Sequence, residues 1–244
     1  YAHMPSLAEL FVFARLPEYA WSHIVEACSE FLVASRNASG PLEPEASDYA
    51  SMHRQKTIAR LSDWSETTGT ALNAPWKLNG CALPSLLEVA SDLASIVEAR
   101  PDAQPTIVHG DLCFSNILYD FRSDSVCVLD PRGQDANDRK TIWGDQRYDA
   151  AKLMHSSSGL YDLIIAGRMN ADQPSRNELR LTVNPTDVQQ LVGNRVEKMI
   201  DQVFPGDLHA IKAMTSLLFL SMLPLHDDRP ERQTTMLANA LRLY

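Results

Sequence analysis

Apolar and polar residues along this chain alternate mostly with a helical period. Between residues 16 and 36, Leu16, Tyr19, Ile24, Cys28, Phe31 and Leu32 fall near one face, Pro17 suits a first turn, and a Ser/Gly/Pro-rich break follows over residues 37–44. A second helix is expected from about residue 47 to 64. A third, over residues 83–100, sets Leu86, Leu87, Val89, Ala90, Leu93, Ile96 and Val97 along one side and stops at Pro101-Asp102. The period then shortens. Residues 105–108, 116–120 and 125–129 are brief β-prone pieces, the last preceded by the polar turn Arg122-Ser123-Asp124, and together they predict a small hairpin. Beyond Asp145 the helical period returns over residues 145–167, 186–204, 207–223 and 230–244, with Thr186 placed to cap the second of these after Pro185. The expected fold class is mainly α with a small β-hairpin element. No internal repeat or low-complexity tract interrupts it.

Composition narrows the function. The 244 residues carry 22 Lys+Arg against 31 Asp+Glu, a formal charge of −9. Binding a polyanion requires clustered Lys and Arg, and no such cluster is present, so nucleic acid is not an expected partner. With 45% apolar residues the chain can bury a sizeable core. The longest apolar run, residues 213–225, is interrupted by Thr215, Ser216, Ser221 and Pro224 and is shorter than the roughly 20 residues that span a bilayer, so no membrane span is expected. The first residues lack the basic and apolar regions of a signal peptide, and a cytoplasmic location is the default expectation. Cys28, Cys81, Cys113 and Cys127 form no C-x-x-C pair and read as reduced, partly buried thiols.

The chemistry-bearing residues gather around the β-prone pieces. From His109 the chain reads His-Gly-Asp-Leu-Cys-Phe-Ser-Asn, which fits H-x-D-L-x-x-x-N at every fixed position. Leu129-Asp-Pro-Arg-Gly133 then places a second carboxylate, Asp130, directly after a β run. The order Asp111, Asn116, Asp130 suits phosphoryl transfer: one carboxylate to take the acceptor hydroxyl's proton, and an amide plus a second carboxylate to hold magnesium with hard oxygen donors. Each motif alone also reads as a turn; their order and spacing favour the functional reading.

These residues, followed by Gly144-Asp-Gln-Arg-Tyr-Asp-Ala-Ala-Lys-Leu153, resemble the successive motifs of the aminoglycoside phosphotransferase and choline kinase family of small-molecule kinases. The resemblance covers about residues 106–155. It implies the C-terminal lobe of a protein-kinase-like fold, with ATP as co-substrate and Mg²⁺ as cofactor. It further implies Asp111 as catalytic base, Asn116 and Asp130 as metal ligands, His109 as a brace for the loop, and Asp145 and Asp149 as anchors of the following helix. The Asp-Pro-Arg-Gly form and the following Tyr-Asp-Ala-Ala-Lys-Leu-Met-His look more like kinase-like proteins encoded with bacterial capsule or surface-polysaccharide genes than like resistance enzymes. Arg132 is suited equally to reaching a phosphate or to pairing with an acid such as Asp145. His155 and Asp162 are candidates for lining an acceptor pocket.

A complete kinase also needs a Gly-rich loop and a strand lysine paired with a helix glutamate. The ten glycines form no G-x-G-x-x-G, and Lys56 and Lys77 read as helical or loop residues. The nucleotide-binding N-terminal lobe is therefore expected upstream, with residues 1–15 as hinge and entry to a helical lobe over residues 16–244. The expected function is ATP- and magnesium-dependent phosphorylation of a hydroxyl on a small molecule such as a sugar, amino alcohol or aminoglycoside. Two alternatives stand beside it: a non-catalytic kinase-like interaction module, and a metal-dependent hydrolase built on His109, Asp111 and His155.

Overall fold

The structure is a computed structural model and describes residues 4–38, 40, 49–100, 105–135 and 139–244. In chain order its elements are α1 (Leu7–Phe13), α2 (Glu18–Asn37), α3 (Tyr49–Thr68), β1 (Pro75–Leu78), β2 (Cys81–Ser85), α4 (Leu86–Glu98), β3 (Thr106–Ile107), β4 (Ile117–Asp120), β5 (Ser125–Val128), β6 (Trp143–Gly144), α5 (Gln146–Ser156), α6 (Tyr161–Ile165), β7 (Ala171–Ser175), β8 (Glu178–Leu181), α7 (Asp187–Val203), α8 (Leu208–Met222) and α9 (Pro230–Leu243). The mainly helical expectation holds, and the hairpin β4–β5 pairs Ile117 with Val128 through Asp120 with Ser125. The expected helix start at Ser47, the stop at Pro101-Asp102 and part of the polar loop 133–141 lie outside the described residues.

Where the sequence suggests one lobe over residues 16–244, the chain groups into two compact units, each assembled from three separated segments. The first comprises residues 1–49, 102–162 and 185–211 and contains every candidate site residue. Its entry helix α1 begins with a reciprocal cap. Ser6 accepts from the Glu9 backbone while the Glu9 carboxylate accepts from the Ser6 N–H, so two otherwise orphaned donors are satisfied. Just before it, the Pro5 carbonyl accepts from the Tyr119 N–H at 3.1 Å, stitching the entry segment to β4. Phe11 meets Trp21 and Phe114 edge-on, with ring centroids 6.1 and 5.4 Å apart, and these rings are buried with Leu7, Ile24 and Leu32. Phe114 belongs to the His109–Asn116 segment, so the core holds that loop from beneath. Buried amides close the remaining gaps: Gln146 Nε2 donates to the Leu32 carbonyl at 2.6 Å, and Gln189 Nε2 to that of Phe11 at 3.1 Å. Thr186 caps α7 as its sequence suggests.

The second unit comprises residues 50–101, 163–184 and 212–244. Its four-stranded sheet, in the order β2-β1-β8-β7, was not expected from the sequence. Two hairpins are joined by a parallel β1–β8 pair in which Lys77 sits opposite Glu178, so Lys77 is a strand residue rather than a loop residue. The turn of the first hairpin is Asn79-Gly80, both with positive φ (52° and 84°), the backbone that a tight hairpin turn of this hand demands. Residues 83–85, the start of the expected helix, belong instead to β2. Pro84 disfavours helical backbone at Leu83, and Ser85 then caps α4 in a reciprocal pair with Glu88. The helical stretch Leu208–His226 has the length and hydropathy of a membrane span, with 67% of its apolar window buried inside the protein, as in a core helix. All four thiols are free; Cys28 and Cys113 are buried, whereas Cys81 and Cys127 are exposed, contrary to the partly buried reading.

Asn79 joins both hairpins of the sheet. Its Nδ2 donates to the Leu181 carbonyl at 3.0 Å and its Oδ1 accepts from the Leu181 N–H at 2.9 Å. Asn79→Ala removes both bonds and leaves a left-handed backbone without its side-chain partner, so urea unfolding should report a loss of about 1–2 kcal/mol. Unchanged stability would show that the sheet does not depend on this bridge.

Candidate functional site

Between β3 and β4 the chain runs through His109, Gly110, Asp111, Leu112, Cys113 and Phe114 with few backbone partners of its own, and the first turns of α5 supply them. Asp145 caps this helix by accepting from the Arg147 N–H. Its carboxylate is also gripped by the Arg147 guanidinium at 2.7–3.0 Å, a nearly solvent-free pair. That pairing occupies Asp145, which is therefore not the partner of Arg132. One turn on, Asp149 is fully buried and accepts from the backbone N–H groups of His109 and Gly110, both at 2.8 Å. Burial pushes its carboxyl up to about 7, and the two N–H donors pull the other way.

The imidazole of His109 performs a second tie. Its Nε2 lies 2.8 Å from the Leu129 carbonyl, which can only accept, while its Nδ1 takes the Asp111 N–H at 3.2 Å. Those partners assign a neutral ring protonated at Nε2. The ring thus links the loop bearing Asp111 to the residue preceding Asp130. Two backbone bonds reinforce the link: the Arg132 N–H donates to the His109 carbonyl at 2.8 Å, and the Leu129 N–H to that of Asn116 at 2.9 Å. Gly110 is required here, since its φ is +77° and an added Cβ would lie 2.8 Å from Cβ of Arg132.

Asp111 and Asn116 meet directly. Asn116 Nδ2 donates to the Asp111 carbonyl at 2.9 Å and to its Oδ2 at 3.2 Å. Both partners are acceptors, so the amide nitrogen must face them and its oxygen is turned elsewhere, available to a cation. Asp130 has φ +54°, a left-handed backbone that Asp tolerates better than most residues. Its side chain is exposed, and among the described residues its carboxylate has no hydrogen-bond or ion-pair partner. One carboxylate and one amide oxygen, both hard donors, fit Mg²⁺ held jointly by protein, water and phosphate oxygens. Among the described residues no group of three or more His, Cys, Asp or Glu side chains is arranged as a protein-only metal cage.

Lys152 was not singled out by its sequence. It projects one turn beyond Asp149 and places Nζ 2.8 Å from Asp111 Oδ1, with only 11% of its side chain exposed. Burial alone would lower its pKa, but the Tyr148 and Asp111 oxygens outweigh that effect, so the ammonium remains protonated. The signal available in the sequence was the spacing of Asp149 and Lys152, three residues apart on one helix face. Ser156, four residues further, accepts from the Phe114 N–H at 3.0 Å.

His155 and Asp162 are not on an open wall. His155 has no exposed surface and stacks against Tyr161 with centroids 4.4 Å apart. Its burial, with both His109 nitrogens already engaged, leaves no open His109–Asp111–His155 metal triad. Burial pushes the Asp162 carboxyl up to about 6 against a hydrogen bond from Ser156. Arg132 is exposed, with its aliphatic stem over Gly110.

No protein-family model and no curated protein sequence matches this chain. Among solved structures it is similar in fold to a glucosamine kinase in complex with glucosamine, ADP and inorganic phosphate, with a TM-score of 0.56, 12% identity, and coverage of 100% of this chain and 57% of the other. A second glucosamine kinase structure, crystal form A, gives a TM-score of 0.52 at 12% identity over 97% of this chain and 53% of that one. The chain therefore shares its fold with a small-molecule kinase and spans little more than half the length of the structures it matches.

A carboxyl whose pKa is raised on folding favours the folded state while it is protonated in both states, and that advantage is lost as pH rises through the folded value. Asp162→Asn removes the titration. The variant should therefore gain stability relative to the parent as pH rises from about 4 to about 6, then hold a constant difference. Urea unfolding at four pH values checks this; a pH-independent difference would mean that Asp162 is not held in a desolvated site.

Proposed function

We propose that this chain is the catalytic lobe of an ATP- and magnesium-dependent phosphotransferase that phosphorylates a hydroxyl on a small molecule. It would have a protein-kinase-like fold of the aminoglycoside phosphotransferase and choline kinase kind. The observation that carries the reading is the His109 ring, bonded at Nδ1 to the Asp111 backbone and at Nε2 to the carbonyl before Asp130. It ties together two acidic segments that a structural turn would have no need to join.

In this reading Asp111 accepts the proton of the acceptor hydroxyl. The hydroxyl oxygen forms a bond to the γ-phosphorus, the bond from that phosphorus to the bridging oxygen breaks, and the electron pair leaves with ADP. Asn116 Oδ1 and the Asp130 carboxylate would hold magnesium, which supplies neutralisation of the charge on the phosphate oxygens. Arg132, exposed beside Gly110, is available to a phosphate oxygen. A nucleotide-binding lobe encoded upstream would complete the ATP cleft, and a cytoplasmic setting would supply the nucleotide. The fold likeness to a glucosamine kinase supports a sugar hydroxyl as acceptor and makes glucosamine the first acceptor to test.

The test uses the longest natural protein containing this chain, with ATP, Mg²⁺ and glucosamine or a panel of other sugars and amino alcohols, reading phosphorylated product by mass spectrometry. Product should form, and Asp111→Asn should lower kcat by about 10²-fold or more, the scale of a general base. Asp130→Ala should weaken magnesium-dependent ATP binding by calorimetry. Near-normal turnover in Asp111→Asn, or unchanged metal dependence in Asp130→Ala, overturns the assignment. Absence of any ATP binding favours the interaction-module reading.

A further inference from the structure

We propose that Lys152 is a positioning residue for Asp111, its ammonium fixing Oδ1 so that Oδ2 is the oxygen presented to the acceptor hydroxyl. This rests on the reading of Asp111 as base. The two carboxylate oxygens are not equivalent. Oδ1 is buried and lies 2.8 Å from Lys152 Nζ, whereas the Asp111 side chain as a whole is 41% exposed, so its open surface belongs to the Oδ2 side. Oδ2 also accepts one N–H of Asn116 at 3.2 Å and retains lone-pair capacity for a further hydrogen bond.

The terminal torsion of an aspartate is broad and roughly two-fold, so an unrestrained carboxylate rotates freely between equivalent positions. An ammonium on one oxygen and an amide on the other define its plane. A proton transfer needs that definition, because small misplacement of a base costs rate out of proportion to its energy. Lys152 is itself placed with little freedom: it is nearly buried, and Nζ is 5.9 Å from the Tyr148 ring centroid. Asp149 and Ser156, on either side of it along the helix, hold the loop backbone before and after Asp111. Lys152 is thus the middle one of three supports and the one that reaches the reacting side chain. A buried ammonium is costly without a partner, and here its partner is the carboxylate that performs the chemistry.

The experiment compares Lys152→Met, Lys152→Arg, Asp111→Asn and the Lys152→Met/Asp111→Asn double variant. Lys152→Met should lower kcat by at least about 30-fold, with ATP and acceptor KM within about threefold, and Lys152→Arg should recover part of the loss by keeping the charge. In the Asp111→Asn background the same Met substitution should change kcat less than about threefold, because Lys152 acts through Asp111; a purely structural residue would lower both backgrounds alike. Crystal structures of the parent and Lys152→Met provide a readout independent of turnover: the Asp111 carboxylate should rotate out of its plane in the variant. If Lys152→Met fails to fold, Lys152→Arg supplies both readouts: its kcat should fall in step with any displacement of the Asp111 carboxylate from its plane, and a displaced carboxylate with parental kcat overturns the proposal. An unmoved carboxylate, or additive losses in the double variant, overturns the proposal. A parent protein that transfers phosphate to no acceptor sinks the kinase reading, while the carboxylate orientation still decides the role of Lys152.

Discussion

An irregular loop packed against a core must hide part of its backbone from water, and each hidden N–H that lacks an acceptor costs on the order of 1–3 kcal/mol. In this protein the backbone N–H groups of His109, Gly110 and Phe114 find their acceptors on one side of α5. Asp149 takes two consecutive N–H groups, and Ser156 takes a third from Phe114. These residues are seven apart, two helical turns, so the helix acts as a rigid ruler about 10 Å long against an otherwise irregular segment. The loop's shape is therefore set by a helix, and the helix is set by its own cap at Asp145 and the buried Asp145–Arg147 pair. Asp149 is desolvated and raised toward neutrality, yet the two N–H groups it receives favour its ionised form. The competition explains why an acid, and not an amide, suits the position: an amide offers one acceptor oxygen where two donors must be met.

Left-handed backbone marks the points where the second acidic segment crosses the loop. Gly110 and Asp130 both have positive φ, at +77° and +54°. At Gly110 the geometry forbids any side chain because Arg132 occupies the space. At Asp130 the left-handed turn is stabilised from both sides, by the His109 ring on Leu129 and by the Arg132 N–H on the His109 carbonyl. A non-glycine residue in this conformation costs about 1–2 kcal/mol and persists only when its surroundings over-determine it. Turning the Asp130 carboxylate toward the open side, without a partner among the described residues, is what that cost obtains.

Much of the site was legible in the sequence because its residues lie close together in the chain. Asp111 and Asn116 are five residues apart, and the hairpin that returns the chain to Asp130 has a polar turn and β-prone flanks. The helices were legible for the same local reason, as Thr186 and its cap illustrate. The four-stranded sheet was not. Its strands β1 and β8 pair across about a hundred residues, and although β8 alternates (Glu178, Leu179, Arg180, Leu181) it is only four residues long, while β2 and β7 show no such alternation. Asn79-Gly80 was the available signal, a strong hairpin dipeptide whose flanks, Pro75–Leu78 and Cys81–Ser85, are too short and mixed to support it by pattern alone. Lys152 was hidden differently. A lysine in a helix reads as a solvated residue, and only the depth of its side chain, a tertiary property, distinguishes it from one.

Charge in the site follows from the same geometry. Asp111, Asp130 and Asp149 place three carboxyl groups on adjoining segments, and the nearly buried Lys152 ammonium is paired with Asp111. The exposed Arg132 stands at the edge. A carboxylate can be accommodated by protonation, by pairing or by a bound cation. Asp149 tends toward protonation through burial, and Asp111 is relieved by pairing. Asp130, exposed and unpaired among the described residues, is open to solvent and to the proposed cation. The three acids thus occupy three different electrostatic environments on one short stretch of chain. That separation suits the proposed division of roles, in which Asp149 anchors, Asp111 takes a proton and Asp130 holds a cation.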